Sequence, residues 1–174
     1  MKKYNIRIIL PLLLICDMLV AQVPSPAGPQ EMPIQLKGGT IHIGNKEVIE
    51  NGLITFEKGK LTFVGPVNEY KSDSKPYKVV DVNGKHIYPG LIMLNSTIGL
   101  PEISAIKATN DYREVGDFTP NVRSLIAYNT DSERIPNNRS NGIMMAQIVP
   151  RGGTVSGSSS VVQLDAWNWE DAKV

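Results

Sequence analysis

The sequence predicts an α/β chain in two parts: a small β-structure over 34–88 and the start of a parallel α/β array over 89–174. Three observations predict it. Short β-prone runs separated by glycine turns fill the first part. In the second, strand, helix and strand follow with short returns, the texture of parallel α/β units. Finally, 174 residues with 41% hydrophobic content suffice for about one domain with an ordinary core.

The chain opens with Lys2, Lys3 and Arg7 followed by IILPLLLICDMLVA. A basic region, an apolar core and a small residue at Ala21 have the layout of a secretory signal peptide, so residues 1–21 are expected to be cleaved at Ala21/Gln22. The apolar run is shorter than the roughly 20 residues that span a bilayer, and Asp17 interrupts it. The sequence therefore predicts export to a periplasmic or extracellular location without a transmembrane span. Cys16, the one cysteine, follows Ile15 rather than the small residue of a lipoprotein signal, so lipid anchoring is not expected. Without the leader there is no thiol, which excludes disulfides, zinc-thiolate sites and cysteine nucleophiles. The whole chain carries a formal charge of +1; losing the leader removes three of its 18 basic and one of its 17 acidic residues, leaving −1. A near-neutral chain has no electrostatic footprint for nucleic acid.

Residues 22–33, QVPSPAGPQEMP, are proline-rich without apolar period and read as a linker. From Ile34 the pattern turns to strands. Leu53 to Phe56 and Lys60 to Val64, around Glu57-Lys58-Gly59, alternate apolar and polar residues as a hairpin does. YKVVDVNGKHIYPG continues the β texture. After it come an apolar strand GLIML, a polar loop from Pro101 to Thr119, and a helix expected to be capped by Asp131 or Ser132. That helix runs toward Asn141-Gly142, with Pro136 keeping it short or broken. IMMAQIVP reads as a buried strand and VVQLD as one more.

The order of these parts resembles the amidohydrolase superfamily, and within it the imidazolonepropionase-like members. The likeness is carried by GGTIHIGNKEVIENGLITFEKGKLTFVG, by VVDVNGKHIYPGLI and by SNGIMMAQIVPRGGTVSGSSSVVQL, and it covers Ile34 to the last residue. It implies an N-terminal small β-sandwich of the amidohydrolase composite domain over 34–88. The first one or two βα units of an incomplete (β/α)8 barrel would follow over 89–174. A complete barrel takes roughly 250 residues, with about 200 a practical minimum. The resemblance also implies hydrolysis of non-peptide C–N bonds, a divalent metal, typically zinc, and a small-molecule substrate in a full-length parent.

At one point the chain departs from the pattern. Where the family carries an aspartate and then His-x-His as metal ligands, this sequence has Met93, Leu94, Asn95, Ser96 and Thr97. A catalytic zinc needs about three ligands drawn from imidazole, carboxylate and thiolate, which a neutral amide and a hydroxyl replace poorly. Asn95 and Thr97 are thus degenerate metal-motif positions, and no metal, cofactor or catalytic residue is expected in this chain. The two histidines, His42 and His86, fall in the β part as ordinary strand residues.

Two other motifs compete for a function. GGTVSGSS approaches a phosphate-binding loop but has Ser158 where the lysine is required, and GTVSG is not the G-x-S-x-G nucleophile elbow, so strand-connecting glycines are the better reading. The loop KATNDYREVGDFTP places Asp111, Arg113 and Glu114 after the first barrel-like strand, on the side where barrel active sites lie, and makes them the candidate ligand-binding residues. The alternative to an enzyme is a non-catalytic relative that binds or assembles, including by self-association through open sheet edges.

Overall fold

The computed structural model describes residues 26–103 and 105–174. The leader, Cys16 and residues 22–25 of the linker lie outside the described residues. It is a mixed α/β structure with two sheets.

The first sheet contains β1 (Ile34–His42), β2 (Val48–Glu57), β3 (Lys60–Pro66), β4 (Lys78–Asp81) and β5 (His86–Ile87). Its order is β3-β2-β1-β4, with β5 also on β1. β2 is antiparallel to both its neighbours, while β4 and β5 run parallel to β1. The β2–β3 hairpin forms because Lys58 and Gly59 both adopt positive φ, 53° and 74°, as a two-residue turn matching the strand twist requires. β2 is the central strand and buries Leu53, Ile54 and Thr55 in succession, with the Thr55 hydroxyl 2.6 Å from that of Thr62.

The segment before β1 reaches both sheets. Gln30 donates from Nε2 to the Phe56 carbonyl and accepts the Lys58 amide, while the Ala27 amide donates to Asp165 beyond the last strand.

The second sheet contains β6 (Leu91–Ser96), β7 (Ile143–Ile148) and β8 (Ser160–Gln163), in that order. β6 and β7 are parallel, and the crossover between them carries the helix α1 (Arg134–Ser140). Pro136 is accommodated in the first turn, where its missing N–H would have had no intrahelical partner. The helix ends at Asn141, followed by Gly142 at φ 84°, a left-handed stop that only glycine adopts without strain.

Two expectations need correction. The helix is not capped by the side chain of Asp131 or Ser132: Glu133 flanks it, and the buried Ser132 hydroxyl donates instead to Glu102 at 3.1 Å. A tertiary carboxylate has taken the group that a local cap would use. Nor does the last strand continue the parallel array, since β8 pairs antiparallel with β7. The connection over 149–159 contains no helix, and without a crossover the chain can only turn back.

The core lies on one face of this sheet, where Ala146, Ile148 and Val162 meet Ile135 of α1, with Leu100, Leu125 and Tyr128 around them. The chain closes with α2 (Trp169–Ala172), whose first turn is capped by Asn168 accepting from the Asp171 amide. Trp169 packs on the core and Trp167 is exposed. Beyond α2, the Val174 amide donates to the Val161 carbonyl and covers the outer edge of β8. β6 has no strand on its outer side among the described residues, and its Ile92 and Leu94 are exposed.

Tyr128 is 4% exposed, its hydroxyl has no partner among the described residues, and burial pushes its pKa from the usual 10 up to about 12. The folded chain therefore keeps a proton that the unfolded chain releases above pH 10. The contribution is complete below pH 10 and is lost as the pH rises toward 12. Tyr128→Phe is expected to raise stability at neutral pH by about 1 kcal/mol, because a buried unpaired hydroxyl is removed. It should also flatten the fall in stability between pH 10 and 12, as urea titrations at several pH values will register. An equally steep alkaline fall in both proteins would mean that the phenol is solvated.

Candidate functional site

The loops at the C-terminal ends of β6 and β7 enclose a pocket of about 390 Å³. Its walls come from two stretches. Asp111, Arg113 and Glu114 stand on one side, Asn121 to Ala127 on the other, and Pro150, just past β7, closes the end.

Backbone hydrogen bonds fix both walls. The Asp111 amide donates to the Leu100 carbonyl at 2.9 Å, and the Arg151 amide donates to the Tyr112 carbonyl at 2.6 Å, so the candidate loop is tied to both strand ends. On the other wall Ser124 is buried, and its hydroxyl donates to the Ile148 carbonyl at 3.0 Å. The glycine-rich loop behind β7 completes the scaffold: Thr154 and Val155 amides both donate to the Asp117 carbonyl, and the Ser158 amide donates to Val122. Its glycines permit close approach. A Cβ on Gly157 would lie 2.5 Å from the Val122 carbonyl oxygen, and one on Gly152 would lie 2.7 Å from the Arg113 Nε. Close packing against the pocket walls accounts for GGTVSGSS without a phosphate.

All three candidate residues line this one pocket. With them stands Arg123, which sequence reading passed over as part of an ordinary segment. Nothing local in NVRSLIAYNT marks it. It reaches the site through a parallel bridge to Ser158. The four charged side chains are exposed, and none forms an ion pair among the described residues. The pocket thus offers two guanidinium groups and two carboxylates to solvent.

Asn95 and Thr97 are not among its lining residues. The β6–β7 register shifts between Met93 and Ser96, and Asn95 takes a left-handed φ of 54°. Its amide donates to Gln147 Oε1 and its carbonyl accepts from Arg151 Nη2 at 2.8 Å. In a regular strand residues two apart share a face, which suits a pair of metal ligands. Here that alternation is interrupted at the first of the two positions. The donors are neutral oxygens or an amide nitrogen, and among the described residues no group of three or more histidines, cysteines or carboxylates could hold an ion. The residues at these positions do not fit the family's divalent metal. His42 and His86 lie on β1 and β5 of the first sheet and play no part in this pocket.

Comparison with known proteins gives the class. The structure matches that of an amidohydrolase from Thermotoga maritima MSB8, with a TM-score of 0.72 and 26% identity over 81% of this chain and 36% of that one. An imidazolonepropionase from Rhizobium rhizogenes is 36% identical over 50 residues, 29% of this chain and 12% of that protein. No protein-family profile matches the chain. The chain is related to the amidohydrolase superfamily, a hydrolase group. More particularly, its sequence likeness runs to imidazolonepropionase, and the chain spans about a third or less of the length of these relatives. No helix among the described residues is long and apolar enough to cross a membrane.

Proposed function

We propose that this chain is the N-terminal portion of an exported amidohydrolase-like protein that is catalytically inactive as it stands. Residues 1–21 would be its signal peptide and 22–33 a linker. Residues 34–88 would be the β-sandwich part of the composite domain, and 89–174 the start of a metal-dependent hydrolase barrel. The observation that carries the family reading is the likeness to the Thermotoga maritima amidohydrolase over 81% of this chain. Inactivity is argued from Asn95 and Thr97, which cannot supply the anionic or imidazole donors that lower the pKa of a bound water. No zinc and no other cofactor is assigned to these positions.

Within this reading the pocket bounded by Asp111, Arg113, Glu114 and Arg123 receives a small molecule bearing both charges, since paired guanidinium and carboxylate groups favour a zwitterion over a singly charged ligand. A full-length parent would hydrolyse a C–N bond in such a substrate. Periplasmic or extracellular residence follows from the leader alone.

The test is metal analysis with an amide and imide hydrolysis screen on the purified chain. Less than stoichiometric zinc and no metal-dependent hydrolysis are expected. Asn95→His combined with Thr97→His should remain inactive, because among the described residues no group of three or more histidines, cysteines or carboxylates supplies the further ligands a catalytic site needs. Tight one-to-one zinc at these positions, or turnover by the double variant, would overturn the reading. A second reading, a non-catalytic binding or assembly component, is favoured by the open edge of β6 with its exposed Ile92 and Leu94. Concentration-dependent self-association in sedimentation velocity would support it, and a monomer at all concentrations would count against it.

A further inference from the structure

The two histidines of the chain meet. His42 ends β1, where it pairs with Val48 of β2, and His86 begins β5, which lies in register along β1 through Thr40. The His42 Nε2 and His86 Nδ1 atoms are 2.9 Å apart, joined by a hydrogen bond with ring centroids 5.2 Å apart. Tyr88 stacks on His42 with centroids 4.2 Å apart and planes 9° from parallel. Two strands thus fix both backbones, and an aromatic ring sets the orientation of one imidazole. His86 is exposed and His42 half-buried, so the pair is open to solvent.

We propose that His42 and His86 form a chelating site for a late first-row divalent ion, with Cu(II) preferred over Ni(II) and Zn(II). Imidazole nitrogens are good ligands for all three, and copper stands highest in the general affinity order. Two nitrogens each about 2.0–2.1 Å from one ion lie about 2.9–3.4 Å apart for angles between a right angle and the tetrahedral one. The rings already stand within that span, at a hydrogen-bond distance of 2.9 Å, so both nitrogens are within reach of one ion, and the preference for copper rests on the affinity order. The ion enters when the donating ring carries its proton on its other nitrogen instead, so that both facing nitrogens offer lone pairs, and the exposed His86 ring turns about χ2, a soft torsion, while Tyr88 holds His42. Water fills the remaining positions, which leaves an exchangeable face toward solvent. Tyr88 is a positioning residue: its stacking holds the His42 ring and it is not itself a ligand.

This site is on the first sheet and does not depend on the amidohydrolase reading. The test titrates Cu(II) into the whole chain carrying Cys16→Ser, so that no thiol competes, and follows binding by calorimetry and by electron paramagnetic resonance. One copper per chain is expected, with hyperfine splitting from two imidazole nitrogens. His42→Gln and His86→Gln should each weaken binding by roughly tenfold or more, and Tyr88→Ala by a smaller factor, with circular dichroism unchanged. Zn(II) should bind more weakly than Cu(II) in the same protein. Copper binding unaltered by either glutamine substitution, or a spectrum with one coordinated imidazole or none, would overturn the proposal. No other histidine exists in the chain to confuse the assignment.

Discussion

Truncating Ile148 to alanine is expected to lower the stability of the chain by about 3 kcal/mol or more, within the range of buried isoleucine-to-alanine changes. Ile148 is fully buried at the end of β7, against Ile135 of α1 and the other strands of the second sheet. Among the described residues the parallel β6–β7 pair and the helix between them share one buried cluster. Removing three carbons there costs the transfer energy of those carbons and leaves a cavity that a sheet on one side and a helix on the other cannot collapse to fill. The residue also lies under the pocket, since its carbonyl accepts the Ser124 hydroxyl. Urea denaturation will measure the loss. A change below about 1 kcal/mol would show that this face of the sheet is loosely packed.

Gly157→Ala is expected to destabilise by roughly 2–4 kcal/mol, because a strained backbone and a steric clash act together. Gly157 has φ 114°, where an L side chain is strained. Its added Cβ would fall 2.5 Å from the Val122 carbonyl oxygen and 2.9 Å from the Val122 Cβ. Backbone cannot step aside as a flexible side chain can, so the loop and the 121–127 wall must separate. Gly84→Ala separates the two causes: φ is 71°, but nothing lies within 4 Å of the added carbon. That control should cost only about 1–2 kcal/mol, the conformational part alone. Equal losses at the two positions would refute the clash, and with it the account of the loop as a close-packed support for Arg123.

The hairpin was legible because everything that makes it is local: alternation on both sides and Lys58-Gly59 between them. The short helix was legible for the same reason, its end written in Asn141-Gly142. What escaped was set by distance. The direction of β8 depends on whether a crossover can form, and β-prone residues read the same in either direction. The cap of α1 was misread because Ser132 found Glu102, a partner about thirty positions away. At the pocket, a charged loop following the first strand of the second sheet was enough to single out Asp111, Arg113 and Glu114. Arg123 needed the fold, since only the packing of Val122 against Gly157 and the bridge to Ser158 brings it opposite them. The degeneracy at Asn95 could be read as missing ligands, but not as a left-handed residue interrupting the strand.

Ala27 and Gln30 are three residues apart, yet one holds a carboxylate beyond β8 and the other the turn between β2 and β3. Mechanically this is a stitch. A load that pulls the sheets apart is shared between this tether, only a few peptide units long, and residues 88–90, which join β5 to β6 covalently, so neither link has much slack to draw out. A cut ahead of Ala27 leaves the stitch whole, whereas a cut between Ala27 and Gln30 would part it and leave each sheet to bear load without it.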